Sequence, residues 1–142
     1  MIELTHAFSR EGSAYENYLL ALDLDRLLSC VEGGSVLEHM DPDTIRAEIK
    51  ARMGSMSMTF TGTVTIAERD EEDGSVLLIV RSGEVGGTGR ADANVRFSTN
   101  DSGGTIQTEA TITGKAASMG EGVVASVIDA LIKDFAAKLG NA

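Results

Sequence analysis

Large aromatic side chains are scarce in this sequence. Phe and Tyr make up 4% of its 142 residues, and Trp is absent. The volume of a core must therefore come from aliphatic side chains and from six Met, whose unbranched chains fill irregular space without fixing it firmly. We expect an interior that leaves space between its elements.

Cysteine and long apolar runs are also nearly missing. The single cysteine, Cys30, excludes an internal disulfide and fits a reducing compartment. No stretch approaches the roughly 20 apolar residues of a membrane-spanning helix, and the N-terminus lacks the basic-then-apolar layout of a signal peptide. These absences predict a cytoplasmic protein without a membrane span.

Basic residues are few, with 12 Lys and Arg against 22 Asp and Glu, so the formal net charge is −10. Such a charge repels phosphates and anionic head groups, which argues against nucleic acid as a partner. The length and the 42% apolar content are typical of one globular domain, here residues 1–142.

Two short helices are predicted after a first strand. Residues 1–8 alternate with a period of two, as a strand does. Ser13 and Glu16 have capping-box spacing, which predicts a helix over residues 13–22. Asp23 or Asp25 is expected to cap a second helix, which Gly33-Gly34 would end.

The middle of the chain reads as strands separated by turn residues. Alternating apolar and polar positions predict strands near residues 35–40, 45–53, 56–66, 75–82, 88–98 and 106–112, so that the sheet has seven in all. The charged run at 68–73 is typical of a solvated hairpin end.

The last segment predicts a long helix over residues 118–139. Ser118 and Glu121 again have capping-box spacing, and Gly140 suits the C-cap. Its apolar stripe consists of Met119, Val123, Val127, Ile128, Leu131, Ile132, Phe135 and Leu139.

Together these elements predict an α+β fold in which a curved antiparallel sheet wraps around the C-terminal helix. A ligand-binding cavity is expected between the inward faces of sheet and helix. The residues predicted to line it are Met53, Met56, Met58, Phe60, Val95, Phe97, Ile112, Met119, Val123, Val127 and Leu131. The three clustered methionines fit either a ligand wall or plain core.

Short patterns along the chain add a family likeness. They are Leu28-Ser29-Cys30-Val31-Glu32-Gly33, Met53-Gly54, Phe60-Thr61-Gly62-Thr63-Val64, Gly103-Gly104-Thr105, Thr113-Gly114-Lys115, Met119-Gly120 and Phe135. In this order and spacing the sequence resembles CoxG, a family of carbon monoxide dehydrogenase subunits within the START-like (SRPBCC) helix-grip superfamily. The chain has Glu32 where the family usually has Pro, and Tyr18 where it has Trp.

The resemblance implies a helix-grip fold and an accessory protein of a carbon monoxide dehydrogenase-type molybdenum hydroxylase. It also implies that a lipophilic molecule, such as a quinone or a lipid, binds in the grip cavity. Some members carry a C-terminal membrane anchor. Because this sequence stops at Ala142, we expect contact with a membrane only through a partner.

Three other readings stay open. The resemblance also implies a cyclase or dehydratase as an alternative, since helix-grip relatives include such enzymes. His6, which has the inward phase, would then be an acid/base group together with Tyr15 and Tyr18, and otherwise it is a structural histidine. Cys30 is either a buried apolar residue or a nucleophile. An interaction protein with a filled core and an acidic docking surface is the third alternative.

Two kinds of site are disfavoured. His, Cys, Asp and Glu lack zinc-ligand spacing, so no metal site is predicted. The glycine-rich segment at 83–89 lies between two strand patterns and does not open into a helix, so a hairpin or a bend in the sheet is expected there rather than a phosphate loop. The pattern as a whole favours a binding module over an enzyme.

Overall fold

The structure, a computed structural model, describes residues 1–142 and consists of one sheet with three α-helices. Its strands are β1 (Ile2–Ser9), β2 (Gly34–Asp41), β3 (Thr44–Met53), β4 (Met56–Asp70), β5 (Ser75–Glu84), β6 (Arg90–Asn100) and β7 (Gly103–Thr113). Its helices are α1 (Ala14–Leu22), α2 (Leu24–Ser29), a 3₁₀ helix (Ala116–Met119) and α3 (Glu121–Leu139).

The seven strands form a single antiparallel sheet in the order β1-β7-β6-β5-β4-β3-β2. Each of β2 to β6 pairs with the next strand in sequence, and β1 pairs with β7 at the other side of the sheet. The sequence prediction of a curved seven-stranded sheet around a C-terminal helix, with two short helices after the first strand, is confirmed.

Local capping explains where the two short helices begin. The Ser13 side chain accepts from the Glu16 amide at 3.0 Å, and the Glu16 carboxylate accepts from the Ser13 amide at 2.9 Å. This reciprocal pair is the predicted capping box. Asp23 caps α2, because its carboxylate accepts from the Arg26 amide.

The predicted start of the long helix is wrong. Ser118 does not cap it, because its hydroxyl donates to the Lys115 carbonyl within the 3₁₀ helix. Gly120 then adopts a φ of 97°, which interrupts the helical path, and α3 begins at Glu121 without a side-chain cap. With 19 residues, α3 is about 28 Å long.

Three apolar clusters fill the space between sheet and helices. The largest surrounds Phe97, whose ring packs edge-to-face on Phe8 and on Phe135 with centroids 6.4 Å apart in each case. A second cluster gathers around Met53, Met58 and Phe60. The third joins the start of β1 to the first turns of α3.

A fully buried polar residue, Asn17 of α1, ties several elements together. Its amide nitrogen donates to the Asn100 carbonyl at 2.8 Å, and its oxygen accepts from the Arg10 guanidinium at 2.9 Å. Arg10 in turn donates to the carbonyl of Ala142 at 3.1 Å. The network therefore joins the end of β1, α1, the end of β6 and the residues after α3.

We expect Asn17→Ala to lower the free energy of unfolding by about 2 kcal/mol, because it leaves a buried carbonyl and a guanidinium without their partners. Urea unfolding followed by circular dichroism measures the change. Ser13→Ala, which removes one exposed cap and is expected to cost about 1 kcal/mol, is the control. A loss for Asn17→Ala no larger than that of the control would contradict the role of this network.

Candidate ligand-binding site

A cavity of about 140 Å³ lies between the concave face of the sheet, α2 and α3. All but one of its lining residues are apolar. They are Leu27, Leu28, Val31, Ile49, Val64, Leu78, Val80, Val95, Phe97, Ile106, Thr108, Leu131, Ile132 and Phe135. No charged side chain lines it.

The size of the side chains on the middle strands explains the space. Leu78 of β5, Val95 of β6 and Thr108 of β7 are direct cross-strand neighbours and form one row on the concave face. Two of these three side chains are short and β-branched, so the row leaves a gap below α3. Only Phe97 and Phe135 bring large rings to the wall of the cavity.

The volume sets a scale for an occupant. An apolar protein cavity of about 150 Å³ stays dry and takes up a molecule as large as benzene. The cavity thus matches one ring or a short aliphatic segment. A longer guest must extend beyond it.

Three of the residues predicted to bind a ligand do line the cavity. Val95 and Phe97 lie on β6, and Leu131 lies on α3. The structure brings them together across the interior, as the inward phases of β6 and of the helix stripe predict.

The predicted methionine wall lies elsewhere. Met53, Met58 and Phe60 are buried and pack with Ala116 of the 3₁₀ helix. The other predicted residues packed against this group are Met56, Ile112, Met119 and Val127. This methionine cluster fills its end of the sheet and does not line the cavity.

Val123, which the sequence predicts at the cavity wall, lies at the surface. Its side chain is 46% exposed, whereas the neighbouring Val124 is only 2% exposed. Val124, in the first turn of α3, takes the inward position instead.

Other wall residues were not assigned to the site from sequence. Leu27, Leu28 and Val31 come from α2 and the residues that follow it, and Ile132 and Phe135 come from α3. Their apolar helical spacing was visible in the sequence. This spacing does not predict which part of the sheet each helix covers. In the structure, α2 covers the same part of the sheet as the second half of α3.

The candidate catalytic groups do not line this cavity. His6 is buried on β1, with 7% of its side chain exposed, and its Nε2 lies 2.7 Å from the Asp129 carboxylate of α3. Tyr15 is exposed on α1, Tyr18 is buried in the largest core cluster, and Cys30 is buried at the C-cap of α2.

The contact between His6 and Asp129 fastens the long helix to the edge strand. The hydrogen bond from His6, with a smaller effect of Lys133, lowers the pKa of the Asp129 carboxyl below its ordinary value of 3.8. Lys133 lies 3.4 Å from the other Asp129 oxygen. The ionised carboxylate is therefore the form that the folded state stabilises.

Solved structures of low sequence identity share this architecture. A conserved protein from Geobacillus kaustophilus is 19% identical with a TM-score of 0.71, and the match covers 94% of this chain and 86% of that one. The Zhui aromatase/cyclase from a Streptomyces species is 11% identical with a TM-score of 0.56, covering 93% and 87%. A protein from Chromobacterium violaceum is 17% identical with a TM-score of 0.58, covering 99% and 96%.

These likenesses, with the sheet wrapped around α3, define a protein of the helix-grip fold. The family model of the carbon monoxide dehydrogenase subunit CoxG matches residues 19–142, and the chain belongs to this family. No curated protein matches its sequence. None of its helices has the length and apolar character needed to cross a membrane.

The contact between His6 and Asp129 leads us to expect that the free energy of unfolding depends on pH in the acid range. Because the pKa of Asp129 is lowered by folding, its contribution is fully present above about pH 4 and is lost as the pH falls through the lowered pKa. We expect Asp129→Asn to be less stable than the wild type near neutral pH, and the difference to shrink on acidification. Urea midpoints at a series of pH values measure it.

Asp101→Asn, which removes an exposed carboxylate in the turn between β6 and β7, is the matched control for this series. A stability difference between wild type and Asp129→Asn that stays constant down to about pH 3 would refute the assignment.

Proposed function

We propose that this chain binds a small apolar molecule in the cavity below α3 and serves as a non-catalytic accessory protein of a carbon monoxide dehydrogenase-type molybdenum hydroxylase. The observation that carries the binding role is the apolar cavity of about 140 Å³ with no charged side chain in its wall. Membership of the CoxG family supports the accessory role.

The cavity alone supports modest affinity. Each buried CH₂ group contributes about 0.8 kcal/mol, so six ring carbons give about 5 kcal/mol, which corresponds to a Kd of a few tenths of a millimolar. Tighter binding needs more apolar surface than one ring provides. A quinone or lipid-like ligand with an apolar tail meets this requirement.

An apolar tail that leaves the cavity would lie against the methionine cluster, which adjoins the cavity wall. Phe60 of this cluster pairs directly with Ile49, which lines the cavity. On α3, Val127 packs against the cluster one turn before Leu131 of the cavity wall. Because Met side chains adapt their shape at low cost, they can make room for a chain that leaves the cavity.

The placement of polar groups favours binding over catalysis. None of His6, Tyr15 and Tyr18 lines the cavity, so a cyclase or dehydratase reaction would lack an acid or base beside its substrate. On this proposal the protein works in the cytoplasm beside its partner enzyme.

We expect Val95→Phe to fill the cavity and to weaken binding of toluene at least about tenfold, because the added ring occupies the ligand's space. Titrations followed by ¹H–¹⁵N NMR measure the affinity. Val123→Phe makes the same chemical change at an exposed position and should bind toluene as the wild type does. If Val123→Phe weakened toluene binding and Val95→Phe did not, the site would lie at the start of α3 and the proposal would be refuted.

The accessory role predicts a complex. A tagged chain should co-purify with a carbon monoxide dehydrogenase-type molybdenum hydroxylase. Because this chain has a net charge of −10, the complex should weaken as salt is raised from about 0.05 to 0.5 M. If the two proteins fail to associate even at low salt, the accessory role is wrong, whatever the cavity binds.

A further inference from the structure

The cavity has one polar wall residue, Thr108 of β7, and its hydroxyl has no hydrogen-bond partner. We propose that Thr108 is the anchor of a ligand hydroxyl and that the cavity takes an uncharged, phenol-like ring. This inference rests on the proposed binding function and specifies the ligand class of that same site.

Thr108 is out of place in its surroundings. It is 4% exposed, and its direct cross-strand neighbours on the concave face are Leu4 and Val95. Valine has nearly the same shape and would fill this position without leaving a buried hydroxyl unsatisfied. A hydrogen-bonding guest in the cavity gives the hydroxyl the partner that the protein does not supply.

A second unpartnered polar atom lies on the same face of the sheet. His6 pairs with Ile106 and Leu4 pairs with Thr108, so His6 and Thr108 are diagonal neighbours on adjacent strands. The Nδ1 atom of His6 is buried without a partner, whereas Nε2 lies against the Asp129 carboxylate. His6 does not line the cavity, so Thr108 alone carries the anchor.

The Thr108 hydroxyl defines the chemistry of the polar group, because it can donate or accept a hydrogen bond. A ring hydroxyl can pair with it in either direction, whereas a ring carbonyl can only accept. Since no charged side chain lines the cavity, a carboxylate or an ammonium group would be buried without compensation and is excluded.

The size of the cavity agrees with this class. A volume of about 140 Å³ fits one six-membered ring with a single substituent. The expected guest is therefore a neutral phenol or the reduced, hydroxyl-bearing ring of a larger apolar molecule.

Phenol and toluene test the inference, because they differ by a hydroxyl in place of a methyl group. An apolar cavity without a partner for the hydroxyl prefers toluene strongly, since phenol loses its hydrogen bonds to water. We expect the full-length wild type to bind both. In Thr108→Val the affinity for phenol relative to toluene should fall about tenfold or more, and Thr108→Ser should restore part of it.

The outcomes separate the two levels of the proposal. If toluene binds and Thr108→Val leaves the phenol-to-toluene ratio unchanged, the anchor is wrong while the binding function stands. If neither probe binds the wild type, the binding function fails and the anchor with it.

Discussion

The packing of α3 across the concave face of the sheet is the constraint on which the rest of the structure depends. The helix has to bury an apolar stripe that runs from Val124 to Leu139, and the sheet offers one continuous inward face to receive it. The hydrogen bond between His6 and Asp129 fixes the helix at the β1 edge. The methionine cluster fills one part of the space that remains between helix and sheet, and the cavity is the part that stays unfilled.

The composition decides how that space is divided. With four Phe, two Tyr and no Trp, the chain cannot fill the whole interval between sheet and helix with rings. Phe97, Phe8 and Phe135 close one part of it, and flexible Met side chains close the end near the 3₁₀ helix. Between them, branched aliphatic side chains are too short to meet, and the cavity remains. A cavity thus follows from a shortage of large side chains at one place.

Strands and short helices could be predicted because their signals are local. Alternation placed seven strands, and the Ser13–Glu16 pair placed the start of α1. The start of α3 could not be predicted in this way, because Ser118 offers capping-box spacing but the backbone at Gly120 breaks the path first.

The structure places only some of the predicted ligand-binding residues at the cavity. Periodicity tells which face of a strand or helix is buried, and Val95, Phe97 and Leu131 do face the cavity. It does not tell at which end of a strand the interior is filled, and the methionines pack among themselves at one end. The unpartnered hydroxyl of Thr108 could not be predicted either, because alternation gives its inward phase but not its hydrogen-bond partners.

The central claim is that an apolar guest binds below α3, between the sheet and α2. A crystal structure of the protein soaked with bromobenzene tests it directly, because anomalous scattering locates the bromine without ambiguity. We expect one strong bromine peak inside the cavity, beside Val95 and Leu131. A peak among Met53, Met58 and Phe60 with an empty cavity would contradict the claim, as would bromine at surface positions alone.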